Sequence, residues 1–141
     1  THFNHPRELT SVTAEACARL AEAGIPLANQ AVLLRGVNDD AETLISLCDG
    51  LLRLRVRPYY LHQLDPVHGT GHFRVPIERG LTLVATLRQQ VSGLAVPHYI
   101  VDLPGGRGKV ALTPESMVSL GERAVIRAAN GELVTVSNGE A

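Results

Sequence analysis

The densest group of chemically useful residues lies at 101–110, VDLPGGRGKV, where an apolar run ends in Asp102 and a glycine-rich turn leads to Lys109. Glycine adopts positive φ without steric cost and lets backbone approach a ligand closely. Successive amides in such a turn can form an anion-binding nest. A lysine at its end suits contact with a phosphate, or imine formation with an aldehyde cofactor. Lys109 is the only lysine of the chain. The spacing is not that of a phosphate loop, because no glycine is followed by Lys-Ser or Lys-Thr. A glycine-rich turn with a solvated lysine is the plain alternative. Asp65 and Asp102 add two carboxylates at the ends of neighbouring strands. Such a pair can hold an ammonium group by charge-assisted hydrogen bonds, or act as a general acid and base. Both readings stay open, but an amino-group substrate beside an aldehyde-binding lysine makes a coherent site.

These residues need a scaffold, and the hydrophobic periodicity supplies one. Residues 7–24 read as an amphipathic helix with Val12, Cys17, Leu20 and Ala21 on its apolar stripe and Gly24 as its stop. IPLANQAVLLRG reads as a buried strand. A second helix, with Asn38 or Asp39 as its cap, carries Leu44, Leu47, Leu51 and Leu52. RPYYLHQL is the next strand, PIERGLTLVATLRQQV a third helix and PHYIVDL a further strand. This alternation implies parallel strands in a doubly wound or barrel α/β architecture. The end differs: Asn130-Gly131 between two alternating runs signals an appended hairpin. In parallel α/β folds chemistry collects at the carboxyl ends of strands. His2, Asn4 and His5, then Asn29 and Gln30, His62 and Asp65, and Asp102 all fall there. Chains also become solvated at strand ends, which is the simpler account of any one of them.

A chain of 141 residues with 45% hydrophobic and 19% charged residues buries a substantial core. A net charge of −1 without a Lys/Arg block argues against a nucleic-acid footprint. No apolar run reaches the length of a membrane span. Cys17 and Cys48 match no metal or redox spacing and read as buried small hydrophobes, consistent with a reducing cytoplasm.

THFNHPRE, NQAVLLRGVND, RPYYLHQLD, GHFRVP, VSGLAVP and VDLPGGRGK, in this order, closely resemble lysine 2,3-aminomutases, over essentially all of residues 1–136. The resemblance implies a radical aminomutase using S-adenosylmethionine, a [4Fe-4S] cluster and pyridoxal phosphate to interconvert L-lysine and β-lysine. It implies the carboxyl-terminal part of a partial (βα) barrel over residues 1–112, and a carboxyl-terminal extension with a β-hairpin over 113–141. Lys109 matches the lysine that anchors pyridoxal phosphate as a Schiff base. Asp65 and Asp102 match the aspartates that hold the substrate's side-chain ammonium. His2 and Gln30 match positions on the S-adenosylmethionine side. The resemblance implies lysine as the small-molecule partner and a cytoplasmic protein that is a homo-oligomer in its full-length form.

Two departures bear on these expectations. The Cys-x3-Cys-x2-Cys cluster motif is absent from the 141 residues, so cluster ligands are expected upstream of a carboxyl-terminal fragment that alone would aggregate and be inactive. Asp40 stands where some relatives have a zinc-binding cysteine, so no metal site is expected here. The substrate-facing His62 replaces a tyrosine usual in the free-lysine enzymes. YYLH and the following Leu-Asp resemble instead the branch that makes (R)-β-lysine for modification of translation elongation factor P, whereas DLPGGRGK resembles the free-lysine branch. The alternatives are a non-catalytic barrel remnant or binding module, and a related aminomutase on another amino acid.

Overall fold

The computed structural model describes residues 1–138. Strands β1 (Leu27–Val32), β2 (Val56–His62), β3 (His98–Asp102) and β4 (Lys109–Ala111) form one sheet in that order. The first three are parallel and β4 runs antiparallel to β3. Helices α1 (Ser11–Glu22), α2 (Ala41–Arg53) and α3 (Ile77–Gln90) alternate with the parallel strands, as the sequence pattern predicts. The chain is therefore an α/β fold with a mixed sheet. A separate antiparallel sheet of β5 (Met117–Ser119), β6 (Arg123–Arg127) and β7 (Leu133–Ser137) follows.

The helices cover one face of the larger sheet. Ala31, Leu33, Val56, Leu61, Tyr99 and Val101 point into a common core with Leu44, Leu47 and Leu51 of α2 and Leu83, Val84 and Leu87 of α3. Gly80 lies directly against the Tyr99 ring, leaving no room for a Cβ. The absence of a side chain there lets α3 sit closely on β3. The Tyr99 hydroxyl donates to Gln63 Oε1 at 2.5 Å, so the buried phenol is satisfied. Cys17 and Cys48 are both buried, as expected of small hydrophobes, and burial pushes the Cys48 thiol up to about 12.

Two helix expectations need correction. The cap of α2 is Asp40, whose Oδ1 accepts the Thr43 N–H at 2.8 Å. Neither Asn38 nor Asp39 is free for that task. Asn38 is buried and binds the backbone of Leu34, Asn4 and Val32, and Asp39 accepts the Gly36 N–H. In α1, Val12 and Leu20 are 74% and 42% exposed, and only Cys17 is buried. The helix lies at the β1 end of the sheet, where only part of its apolar stripe meets the core. On that edge Thr1 N donates to Ala28 O at 2.8 Å and Thr1 O accepts from Gln30 N at 2.9 Å, the bonding pattern of a parallel bridge.

The smaller sheet is tied to the larger unit at the start of α3. Asn138 Oδ1 accepts the Ile77 N–H at 2.8 Å, while its Nδ2 donates to the Glu78 carboxylate and to Gly121 O. A residue distant in sequence thus satisfies an otherwise orphaned helix N–H. The hairpin between β6 and β7 turns where Asn130-Gly131 predicts it. Ala128 and Glu132 close a three-residue loop with Gly131 alone at positive φ, +86°.

Candidate functional site

The other face of the four-stranded sheet is uncovered by helices and carries the polar residues. Alternation places Gln30 of β1, Tyr60 and His62 of β2, Asp102 of β3 and Lys109 of β4 on it. Four of them form a continuous row across the strand ends. Gln30 Oε1 lies 3.1 Å from His62 Nε2, and His62 Nδ1 lies 3.0 Å from Asp102 Oδ2. Lys109 Nζ donates to Asp102 Oδ1 at 2.6 Å. Burial, the largest single influence on Asp102, raises its pKa, but the bonds and charges of Lys109 and His62 together hold its carboxyl below the usual range.

The glycine loop explains how Lys109 reaches this row. Gly105, Gly106 and Gly108 have φ of +74°, +71° and +81°, a conformation that side chains resist. They reverse the chain between β3 and β4, and Leu103 N bonds Gly108 O at 2.9 Å across the reversal. Asp102 and Lys109 become direct cross-strand partners. Their side chains stand on one face, partly exposed at 34% and 45%.

A bulge adds an aromatic group that the sequence reading missed. Asn29 pairs with Pro58 and Gln30 with Tyr60, leaving Tyr59 as the extra residue. Tyr59 and Tyr60 therefore escape strict alternation, with ring centroids 4.1 Å apart and the Tyr60 hydroxyl donating to Tyr59 at 3.2 Å. Tyr60 also meets the His62 ring at 5.6 Å and the His98 ring at 6.4 Å. The signal was present: two successive tyrosines in an alternating run place one on the wrong face unless the strand bulges.

Not every expected residue joins the row. Asp65 is exposed in the loop after β2, where its carbonyl accepts the Val67 N–H at 2.8 Å. Its carboxylate makes no hydrogen bond or ion pair among the described residues. His2 is exposed beside the edge of β1 and likewise has no side-chain bond among them. Asp40, in the place considered for zinc, is occupied as a helix cap. A separate cavity of about 1100 Å³ lies away from the row, near Arg74, Glu78, Arg79 and Asn138.

The donor set fits an aldehyde cofactor and not a cluster. Lys109 offers a partly exposed primary amine with a carboxylate at its nitrogen and a glycine-rich turn on its approach. The cysteines point into the core. No group of three His, Cys, Asp or Glu side chains converges for a metal among the described residues. No helix among these residues is long and apolar enough to cross a membrane.

Fold and face together define an α/β protein with a candidate small-molecule site at its strand ends, centred on one lysine. The lysine-2,3-aminomutase family profile matches residues 84–140. The chain is 45% identical over 141 residues to the L-lysine 2,3-aminomutase of Fusobacterium nucleatum, covering 99% of this chain and 33% of that protein. It is 44% identical over 138 residues to the L-lysine 2,3-aminomutase of Clostridium subterminale, covering 97% of this chain and 33% of that protein. A glutamate 2,3-aminomutase of Clostridioides difficile is 45% identical over 139 residues, 98% of this chain and 33% of its own length. The chain belongs to the lysine 2,3-aminomutase family, matches its carboxyl-terminal part, and spans about a third of the length of these curated relatives.

Proposed function

We propose that this chain forms the lysine-bearing part of an isomerase that interconverts L-lysine and β-lysine with pyridoxal phosphate, S-adenosylmethionine and a [4Fe-4S] cluster. The observation that carries this reading is the pairing of Lys109 Nζ with Asp102 Oδ1 at 2.6 Å on the uncovered face. Pyridoxal phosphate, when bound, supplies the electron-delocalising system that amino migration requires. The chain's own residues supply capture and orientation. Lys109 is the covalent anchor, and Asp102 holds its amine until capture. With Lys109 engaged by the cofactor, Asp102 Oδ1 would be available to a substrate ammonium. Asp65, unpaired among the described residues, is the second carboxylate for that group. His2 and Gln30 face S-adenosylmethionine, with Gln30 also holding His62.

Within this reading, residues 1–112 belong to a partial barrel whose interior is the uncovered face, and 113–141 are its extension. No step is assigned to the cluster, for which the described residues offer no ligands. The second reading, an aminomutase for another amino acid, rests on the equal similarity to the Clostridioides difficile protein named for glutamate. The two differ in what the acidic residues do. Intact protein supplied with all cofactors and separately with L-lysine, L-norleucine and L-glutamate distinguishes them. The lysine reading expects β-lysine formation, norleucine turned over poorly, and a raised KM for lysine in Asp65→Asn and Asp102→Asn at saturating cofactor. Preference for glutamate, or lysine and norleucine accepted equally, overturns it.

A further inference from the structure

The row does more than place Lys109 beside an acid. Asp102 is shared: one oxygen serves the lysine ammonium and the other an imidazole. His62 is the least exposed of the three side chains, at 15%. Its ring nitrogens face two oxygen acceptors, Asp102 Oδ2 and Gln30 Oε1. Through Nδ1, His62 competes with Lys109 for the same carboxylate.

We propose that His62 is a positioning residue that sets the charge state of Lys109 through Asp102, easing release of the lysine proton and so tuning cofactor capture. This rests on the reading of Lys109 as the anchor. Capture requires the ammonium to lose a proton to solvent before its lone pair attacks the aldehyde carbon. A nitrogen–carbon double bond forms, and the aldehyde oxygen leaves as water. An unopposed carboxylate 2.6 Å away stabilises the ammonium and delays that loss. A hydrogen bond from His62 Nδ1 to the opposite oxygen withdraws part of that stabilisation. Gln30 contributes by holding Nε2, which keeps Nδ1 turned toward Asp102.

The remaining neighbours do not replace His62 in this task. From β2, the Tyr60 ring stands nearly perpendicular to the imidazole, with 80° between the planes. Its hydrogen bond to Tyr59 is the main cause holding its hydroxyl above the usual phenol range, so it stays neutral. His98 of β3 meets Tyr59 and Tyr60 by ring contact, and β4 contributes Lys109 itself.

The test uses intact protein stripped of cofactor, incubated with pyridoxal phosphate across a pH series and reduced with borohydride, with the residue-109 peptide quantified by mass. His62→Gln is expected to move the midpoint of capture upward by about one pH unit. Gln30→Leu moves it upward by less. Asp102→Asn moves it downward, and the His62→Gln/Asp102→Asn double variant behaves like Asp102→Asn alone, because the coupling runs through that carboxylate. Opposite shifts from adjacent partners are not what general damage to the site produces. An unmoved or lowered midpoint in both His62→Gln and Gln30→Leu, with the adduct on residue 109, overturns the proposal and leaves the anchor assignment intact. An adduct on another residue overturns the anchor assignment itself.

Discussion

The two faces of the four-stranded sheet are built from alternate residues of the same strands but differ in how completely they are satisfied. Leu61 and His62 are neighbours in sequence. Leu61 is buried among the helices, and His62 stands on the uncovered face in a row of polar side chains. The covered face reaches its low energy by removing apolar area from water. The uncovered face holds an ion pair and imidazole in partial contact with solvent, where such interactions contribute little to stability. Stability and chemistry are therefore separated by strand alternation. Substitutions on one face should be felt in folding and those on the other in cofactor capture.

The largest expected effect is on the uncovered face. Lys109→Ala should abolish borohydride-trapped pyridoxal phosphate on residues 1–141 of the intact protein, which hold no second lysine, while the denaturation midpoint changes little. A clear loss of folding stability in this variant would break the separation from one side. From the other side, Leu61→Ala removes a side chain that is 1% exposed. It should cost about 2–5 kcal/mol in denaturant titration, as large-to-small changes in packed cores do. Undiminished stability would show that the covered face does not carry the fold.

Gly80→Ala sharpens the comparison, since it adds one methyl group on the covered face where the Tyr99 ring already stands. Either α3 lifts from β3 or the tyrosine loses its bond to Gln63. The expected cost is about 1–3 kcal/mol, typical of overpacking. A neutral result in thermal melts would mean that the helix tolerates displacement. Asp40→Ala, at the cap of α2, should cost about 1 kcal/mol. Asp40→Asn should recover most of that loss, a comparison read in the same melts.

The alternation of strands and helices was legible because both kinds of element carry strong apolar periodicity, as in the leucines of α2 and the buried run of β3. Lys109, Asp102, His62 and Gln30 were each legible at strand ends or in the glycine loop. Their union into a row was not, because it depends on register, and register here includes a bulge at Tyr59. The reversal into β4 was hidden for a related reason: glycines that admit a ligand and glycines that turn a chain look alike. Asp40 as the cap was obscured by Asn38 and Asp39, whose side chains are committed to the loop before α2. Strand β5 escaped notice because Met117–Ser119 is too short to show a period.

The smallest expected effect tests whether the uncovered face contributes to folding at all. Asp102 is held below the ordinary carboxylate value of 3.8, against the upward pull of burial, by bonds from Lys109 and His62. A carboxyl group with a lowered folded-state value stabilises the folded state while ionised, at pH above its unfolded value. That contribution fades as pH falls from there through the lower folded value. The stability difference between the parent protein and Asp102→Asn should therefore be level near neutrality and shrink only below the ordinary carboxylate range. Partial exposure of the pair keeps the difference small. Paired denaturation curves from neutral pH into acid measure it. A difference persisting unchanged to about pH 2 would assign the Asp102→Asn effect to packing rather than ionisation. A difference already fading near neutrality would assign it to another group, and the comparison would have to treat the uncovered face as part of the folding core.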